Sequence, residues 1–332
     1  MAWPFSRRTT YVASTTPSIK AADLNALQDA IIDLYLGGRG QFGSGSDGAA
    51  TMDGAVAAPA WATKSGSTYT AQRDAFVTDL TIDTATLDMN GFRLYVKGTL
   101  TLAGTSPLIK CNGLPGAGQV AGAGAHRASM FGGGNGGAGG IQNGAGPAAG
   151  SNAVNSPKFS GTAQNGGAGA VGDPGGGGAG GSALAVIANA GGWDHTSTLF
   201  LGYVIGESSG TSLLTGLTGG AGGGGGGADD GGLSDGGGGG GGGGVVGVAA
   251  RFITISANAT IQAKGGAGGN GAGNHAGGGG GGGGGLIFLT YGLLTLNGHT
   301  LTRDVTGGAG GTGLNNGATG VTGVVIEHDL GA

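Results

Sequence analysis

Apolar and polar residues follow three different rhythms along this chain. Over 21–36, Leu24, Leu27, Ile31 and Leu34 stand three, four and three residues apart, a spacing that places them on one stripe of a helix. Gly37-Gly38 ends it. Two heptads do not hold a helix alone in water, so the stripe has to bury against its own chain or against an oligomer or larger particle. Over 68–110 the period becomes two. Leu80 and Ile82, then Phe92, Leu94 and Val96, then Leu100 and Leu102 alternate with polar residues, as half-buried strands require. Asn90-Gly91 lies between two such runs, and Asn297-Gly298 between 293–296 and 300–305. Asn-Gly supplies the positive φ angles of a tight hairpin turn, so a small antiparallel region is expected.

Beyond about residue 111 the rhythm is set by glycine. Two runs of nine glycines, 236–244 and 277–285, lead directly into Val245-Val246 and Leu286-Ile287-Phe288-Leu289. The two units correspond at a distance of 41 positions, from Val245 to Leu286. Within them Arg251-Phe-Ile-Thr-Ile-Ser256 corresponds to Gly292-Leu-Leu-Thr-Leu-Asn297, and Gly98-Thr-Leu-Thr-Leu-Ala103 is a third copy. A glycine run is a poor α-helix, since each residue costs about 1 kcal/mol relative to Ala. It is equally poor as an ordinary strand core, having no side chains to pack. The ordered alternative is the extended left-handed helix with three residues per turn and a rise of about 3.1 Å, in which nine residues span about 28 Å. Its donors and acceptors are then satisfied by neighbouring copies, which approach closely because no Cβ intervenes.

The expected fold class is therefore mainly β and irregular. A short N-terminal helix comes first, then a small antiparallel β region, then packed polyglycine II helices alternating with short strands. The boundaries are 1–38 for an arm and helix that dock and oligomerise, 39–110 for the strands, and 111–332 for the glycine-rich part.

Composition narrows the function classes. Glycine accounts for 89 of 332 residues, about four times its usual share, which argues against an α/β or all-α enzyme. Pro is only 8 and charged residues 10%, whereas disordered segments are rich in both. A net charge of −4 with 14 Lys and Arg leaves no basic footprint for nucleic acid. Cys111 stands alone, so no intrachain disulfide framework exists. No apolar run approaches the roughly 20 residues that span a bilayer. Ser6-Arg7-Arg8-Thr9 has the look of a twin-arginine signal, but a polar stretch containing Pro17 follows it instead of an apolar region. A chain of extracellular type without a signal peptide is expected to be made in a host cytoplasm and released by lysis, as virion components are.

Side chains that interrupt the glycine are the candidates for binding, because a glycine body offers few. Trp193-Asp194-His195, with Phe200 and Tyr203, is the richest insert, and aromatics beside polar groups suit recognition of a glycan or an outer-surface protein. The alternative is that Phe200, Tyr203, Val204 and Ile205 cap a core edge. Lys158 with Phe159, and Asp229 with Asp230, mark two further inserts. Asp229, Asp230 and Asp235 form an acidic cluster without a calcium-loop pattern, which reads as a solvated loop. His126, His195, His275, His299 and His328 are dispersed without metal-ligand spacing. No metal, no cofactor and no catalytic group is expected. Glycine density makes nucleotide-binding fingerprints uninformative, and there is neither a Walker motif nor a G-x-S-x-G in a strand-turn-helix context. Trp3, Phe5 and Tyr11 on the arm, with Leu24, Leu27, Ile31 and Leu34 on the helix, are the candidates for docking and oligomerisation.

Over 236–289, glycine runs alternating with short apolar strands resemble the distal adhesins on the long tail fibres of T-even-like phages. That family is built of packed polyglycine II helices with receptor-binding loops at the tip. The segment 1–38 looks like the particle-docking part of a phage fibre or decoration protein. The resemblance implies a non-enzymatic virion structural protein, a tail or head fibre or adhesin that mediates host-surface attachment. Other virion proteins would bind through the N-terminal segment, and a homotrimer and a host glycan or outer-surface protein would be further partners. Nucleic acid and membrane insertion are not expected. The alternative is an architectural decoration protein that binds no receptor, and a polysaccharide-degrading spike ranks behind both for want of paired carboxylates.

Overall fold

Residues that alternate in the sequence alternate between a core and solvent in the fold. The computed structural model describes residues 42–125, 133–141, 156–158, 166–172, 183–185, 219–228, 234–273 and 275–330. The helix expected over 21–36 lies outside them. Fifteen strands are present among the described residues. Those before the first glycine segment are β1 (Ala50–Met52), β2 (Ala62–Ser65), β3 (Thr68–Ala71), β4 (Ala75–Val77), β5 (Leu80–Asp83), β6 (Thr86–Asp88), β7 (Arg93–Ala103) and β8 (Leu108–Lys110). Two short strands, β9 (Ser156–Lys158) and β10 (Ala183–Ala185), pair with each other in parallel. The remainder are β11 (Val245–Ile255), β12 (Ala259–Gln262), β13 (Leu286–Thr295), β14 (Leu301–Asp304) and β15 (Val324–Asp329).

Two sheets face each other. The first is entirely parallel, in the order β1-β5-β7-β11-β13-β15, with β4 also pairing β7. The second is ordered β14-β12-β8-β6-β3-β2 and is parallel except for the β2–β3 pair. Successive strands step from one sheet to the other, β5 to β6, β7 to β8, β11 to β12 and β13 to β14. The chain therefore coils like a solenoid, and parallel neighbours are one coil apart. Met52, Trp61, Tyr69, Leu80, Ile82, Leu87, Leu94, Leu100, Leu102, Ile109 and Ile253 are fully buried between the sheets. Each such side chain contributes about 1.5–3 kcal/mol by leaving water.

This corrects the antiparallel expectation. Asn90 and Gly91 do have positive φ, 51° and 74°, as do Asn297 and Gly298, 49° and 79°. They turn corners between sheets, β6 to β7 and β13 to β14, and do not close hairpins. Thr84, at φ 54°, is β-branched in a region that disfavours such residues. Its hydroxyl donates to Asp83 and accepts the Thr105 N–H at 3.0 Å, which fixes the corner. Where β7 passes from β4 to β5, its pairing with β11 shifts register between Ala250 and Phe252. Gly98 occupies that irregularity, with its N–H on the Thr78 carbonyl and no room for a Cβ beside Asp79.

Beyond β8 the strands run into glycine segments whose backbone hydrogen bonds repeat every third residue. Gly236, Gly239 and Gly242 donate to the carbonyls of Gly140, Gly137 and Gly134. Gly237, Gly240 and Gly243 donate to Gly277, Gly280 and Gly283, while Gly238, Gly241 and Gly244 donate to Gly118, Leu114 and Cys111. The carbonyls of the same run accept from 122 and 125, from 220, 223 and 226, and from 266 and 269. Run 236–244 thus bonds to six neighbouring segments, and run 277–285 does the same.

The ten described segments form three layers. Segments 112–118, 264–271 and 305–312 make the first layer. Segments 120–125, 236–244, 277–285 and 315–323 make the middle one, and 133–140, 219–228 and 166–172 the third. Neighbours within a layer run parallel and adjacent layers run antiparallel. The middle layer continues the first sheet, because 236–244, 277–285 and 315–323 lead into β11, β13 and β15. The first layer continues the second sheet from β8, β12 and β14. The offset of 41 carries through this junction, since Val245 pairs with Leu286. At the junction of the second sheet, Asn112 donates to Gln262 Oε1 at 3.0 Å and accepts the Lys264 N–H at 2.8 Å. Lys264 Nζ lies 3.1 Å from Asp304. Burial works to raise the Asp304 pKa, but hydrogen bonds from Thr306 and Lys264 outweigh it and hold the carboxyl below its ordinary value.

Position in a layer decides where side chains are allowed. In three segments of the outer layers a residue other than glycine recurs at every third position: Ala267 and Asn270, then Thr306, Ala309 and Thr312, then Asn135, Ala138 and Ile141. All of these are exposed. The two runs with six neighbours have no such position. A Cβ at Gly240 or Gly281 would fall on the carbonyl oxygen of Gly266 or Gly308. Gly240→Ala and Gly281→Ala are therefore expected to cost about 4 kcal/mol or more each, whereas Ala267→Leu leaves the thermal unfolding midpoint within a degree or two of the parent.

Cys111 is buried where the array meets the sheets, with its carbonyl taken by Gly244 and its N–H bonded to Gln262 at 2.9 Å. Burial pushes its thiol up to about 12, so the reactive thiolate is scarce at neutral pH. The folded protein is expected to leave a thiol-specific disulfide reagent unreacted for hours at pH 8, and to react with one equivalent on unfolding in guanidinium. Prompt reaction in the folded state would contradict the junction described above.

Candidate functional site at the free end of the glycine array

Each segment of the array has one end at the sheets and one away from them. Beside the free ends stand 118–120, 141, 171–172, 228, 234–235, 271–273, 275–276 and 312–315, and here side chains return. Gln119 donates through Nε2 to the Asp235 carboxylate, and the Asp235 carbonyl accepts the Ala272 N–H at 2.9 Å. Asn270 Oδ1 accepts the Thr312 N–H at 2.9 Å. Asn315 donates to the Val171 carbonyl at 3.1 Å, and its own carbonyl accepts the Gly278 N–H at 3.0 Å. Gly273, at φ 64°, turns the connection between 271 and 276 beside Ser234. Polar side chains therefore end the hydrogen-bond ladder where glycine no longer can, as unsatisfied buried backbone groups would cost about 1–3 kcal/mol each.

Large apolar side chains stand exposed at the same end. Val120 is 70% exposed, Ile141 and Val171 are each 53% exposed, and Leu314 is 46% exposed. None of the four makes a hydrophobic core. They stand beside the polar clamps, an arrangement that suits contact with a partner of mixed polarity; Leu114 and Val321, 57% and 40% exposed, stand elsewhere along the array.

The predicted binding residues fare unevenly. Trp193, Asp194, His195, Phe159, Asp229 and Asp230 lie outside the described residues, as do Trp3, Phe5, Leu24, Leu27, Ile31 and Leu34. Lys158 is described only as part of strand β9. The residues on either side of 229–233, Ala228 and Ser234, both stand at the free end. Val120, Ile141, Val171 and Leu314 were missed by sequence reasoning. The signal that marks them is a large apolar residue at the end of a glycine segment, where no period-two or helical pattern flags it.

Among the described residues no group of His, Cys, Asp and Glu is placed to hold a metal ion. No helix among them is long and apolar enough to cross a membrane. Comparison with known protein families, characterised proteins and solved structures finds no match.

The clamps and the exposed side chains differ in what they do for stability. Asn270→Ala is expected to cost about 1 kcal/mol by freeing the Thr312 N–H. Leu314→Ser, at an exposed position, is expected to shift stability by about 0.5 kcal/mol or less. Thermal unfolding of the two variants checks both.

Proposed function

We propose that this chain is a non-enzymatic virion structural protein, a tail or head fibre or adhesin, that attaches a phage particle to its host. The segment 1–38 would dock other virion proteins and assemble the chain, with a trimer the expected form. Its place is the released particle, after synthesis in the host cytoplasm. The glycine segments are read as polyglycine II helices. Backbone bonds of period three to six neighbours support that reading, since a helix with three residues per turn presents successive N–H groups in three directions.

The observation that carries the functional proposal is the contrast between shaft and tip. Most side chains in the array are removed so that backbones can lock, and at the free end Val120, Ile141, Val171 and Leu314 reappear around polar clamps. A stiff body with four large exposed apolar side chains grouped around polar clamps at its free end is suited to presenting a contact surface at a distance from its mounting. A decoration protein would need the stiffness but not the tip.

Competition for adsorption separates the two. Purified full-length protein is expected to reduce adsorption of its phage to host cells at saturating concentration. The variant carrying Ile141→Ser, Val171→Ser and Leu314→Ser is expected to compete at least about tenfold less well while unfolding at the parent temperature. Failure of the parent protein to compete would favour decoration.

A further inference from the structure

Away from the glycine array, the outward face of the first sheet carries an ordered row of one residue type. Thr51, Thr81, Thr101, Thr254 and Thr295 are direct register partners across β1, β5, β7, β11 and β13. They alternate along their strands with Met52, Ile82, Leu100, Leu102, Ile253 and Ile255 of the core, so the threonines face outward. Parallel strands hold them about 4.8 Å apart, in a row about 19 Å long. Thr51 and Thr295 are exposed and the other three half-buried. Among the described residues, none of the five hydroxyls has a hydrogen-bond partner.

The residues beside this row are mostly uncharged. Thr99, Phe252 and Leu293 are partners on one side, with Leu293 46% exposed. Ala103, Ser256 and Asn297 follow on the other. The carboxylates near the β1–β5 edge are committed to local groups: Asp53 to the N–H groups of Ala55 and Val56, Asp79 to that of Thr99, Asp83 to the Thr84 hydroxyl. Cationic charge enters at the border, with Lys97 and with Arg251, whose guanidinium lies over the Phe252 ring at 5.4 Å.

We propose that this threonine face binds an extended, neutral, hydroxyl-rich polymer, a glycan, laid across the strands. Threonine hydroxyls donate and accept at once, so a row of unengaged ones matches a partner whose surface does the same. The face lacks the positive charge a phosphate polymer requires. It also lacks the apolar centre of a protein–protein interface, since Leu293 is its one largely exposed apolar side chain. Phe252 and Leu293 offer instead a narrow apolar strip for the C–H face of a sugar. The strands fix the hydroxyls before binding, so little order has to be created by the ligand. The choice of a glycan over other regular hydroxyl lattices rests on reading the chain as a surface-attachment protein.

Affinity electrophoresis of the full-length protein through gels containing dextran, mannan or galactan tests this. Retardation by at least one of them is expected. T101V/T254V removes the central hydroxyls while keeping the branched shape, and is expected to weaken that retardation about tenfold or more. T260V/T302V makes the same change on the outward side of the second sheet and is expected to leave it unaltered, with all three proteins unfolding together. Absence of retardation in every gel, or equal retardation of both variants, overturns the proposal. So does shaping of growing ice crystals by the parent protein that T101V/T254V abolishes, because the face would then match crystalline water. If the parent protein blocks particle adsorption without retardation in any gel, the glycan proposal fails and the attachment reading stands. Retardation without adsorption competition sinks the attachment reading alone.

Discussion

The rest of the molecule depends on one kind of contact, a backbone N–H···O=C bond between glycine segments so close that no Cβ fits between them. Ordering each glycine costs about 1 kcal/mol more than ordering an alanine. Each hydrogen bond returns a net gain of only about 1 kcal/mol. Taken singly, the bonds hold nothing. A segment such as 236–244 is held because it exchanges bonds with six neighbours, and leaving any of its buried groups unpaired would cost more than the bond returns. The array is therefore cooperative by construction. One methyl group at Gly240 intrudes on the Gly266 carbonyl, separates two layers and disturbs bonds well beyond its own residue.

Such an array has no side-chain core to start it, and the two sheets supply one. Leu80, Leu100, Ile253 and their neighbours fix β5, β7 and β11 in register through ordinary apolar burial. The glycine segments inherit that register, because 277–285 is the continuous extension of β13 just as 236–244 is of β11. The same logic explains how growth ends. Segment 315–323 keeps glycine only at Gly317, Gly320 and Gly323, which face 305–312 through N–H bonds to Gly311, Gly308 and Val305. Thr319, Val321 and Thr322 project from it and block a further segment. Beside it, Arg303 donates both to Glu327 and to the Leu301 carbonyl, so charge covers the ends of both sheets.

Much of this was legible in the chain, and what was not has a physical reason. The alternation at Leu80, Ile82, Leu100 and Leu102 identified the core face, because period two is the same in any sheet. For that reason it could not tell parallel from antiparallel pairing. Asn90-Gly91 announced positive φ correctly, yet φ fixes a corner and not the sheet that the next strand joins. The copies at Thr99–Leu102, 252–255 and 293–296 were readable, and they are side-by-side strands, so their similarity reflects equivalent places in successive coils. The glycine runs announced close backbone contact. A finer signal lay beside them: three glycines per three residues in 236–244 and 277–285, two in 133–140, 264–271 and 305–312, and one at 317–323. The exposed tip residues gave no warning, since a single Val171 or Leu314 after glycine matches no periodic pattern.

That triplet rule also bears on where function can reside. In 133–140, 264–271 and 305–312 an outward position recurs only every third residue, and a side chain added at the enclosed positions falls on a neighbouring backbone. The shaft therefore cannot assemble a dense, adaptable contact surface. The connections at the free end are under no such restriction, because their backbones leave the ladder at Gln119, Asp235, Asn270 and Asn315 and are tied off by side chains. The corners and outward faces of the solenoid have the same freedom. A molecule built this way can change what it touches at its tip while the glycine body stays constant, a separation that a protein meeting variable surfaces at a fixed distance from its anchor would exploit.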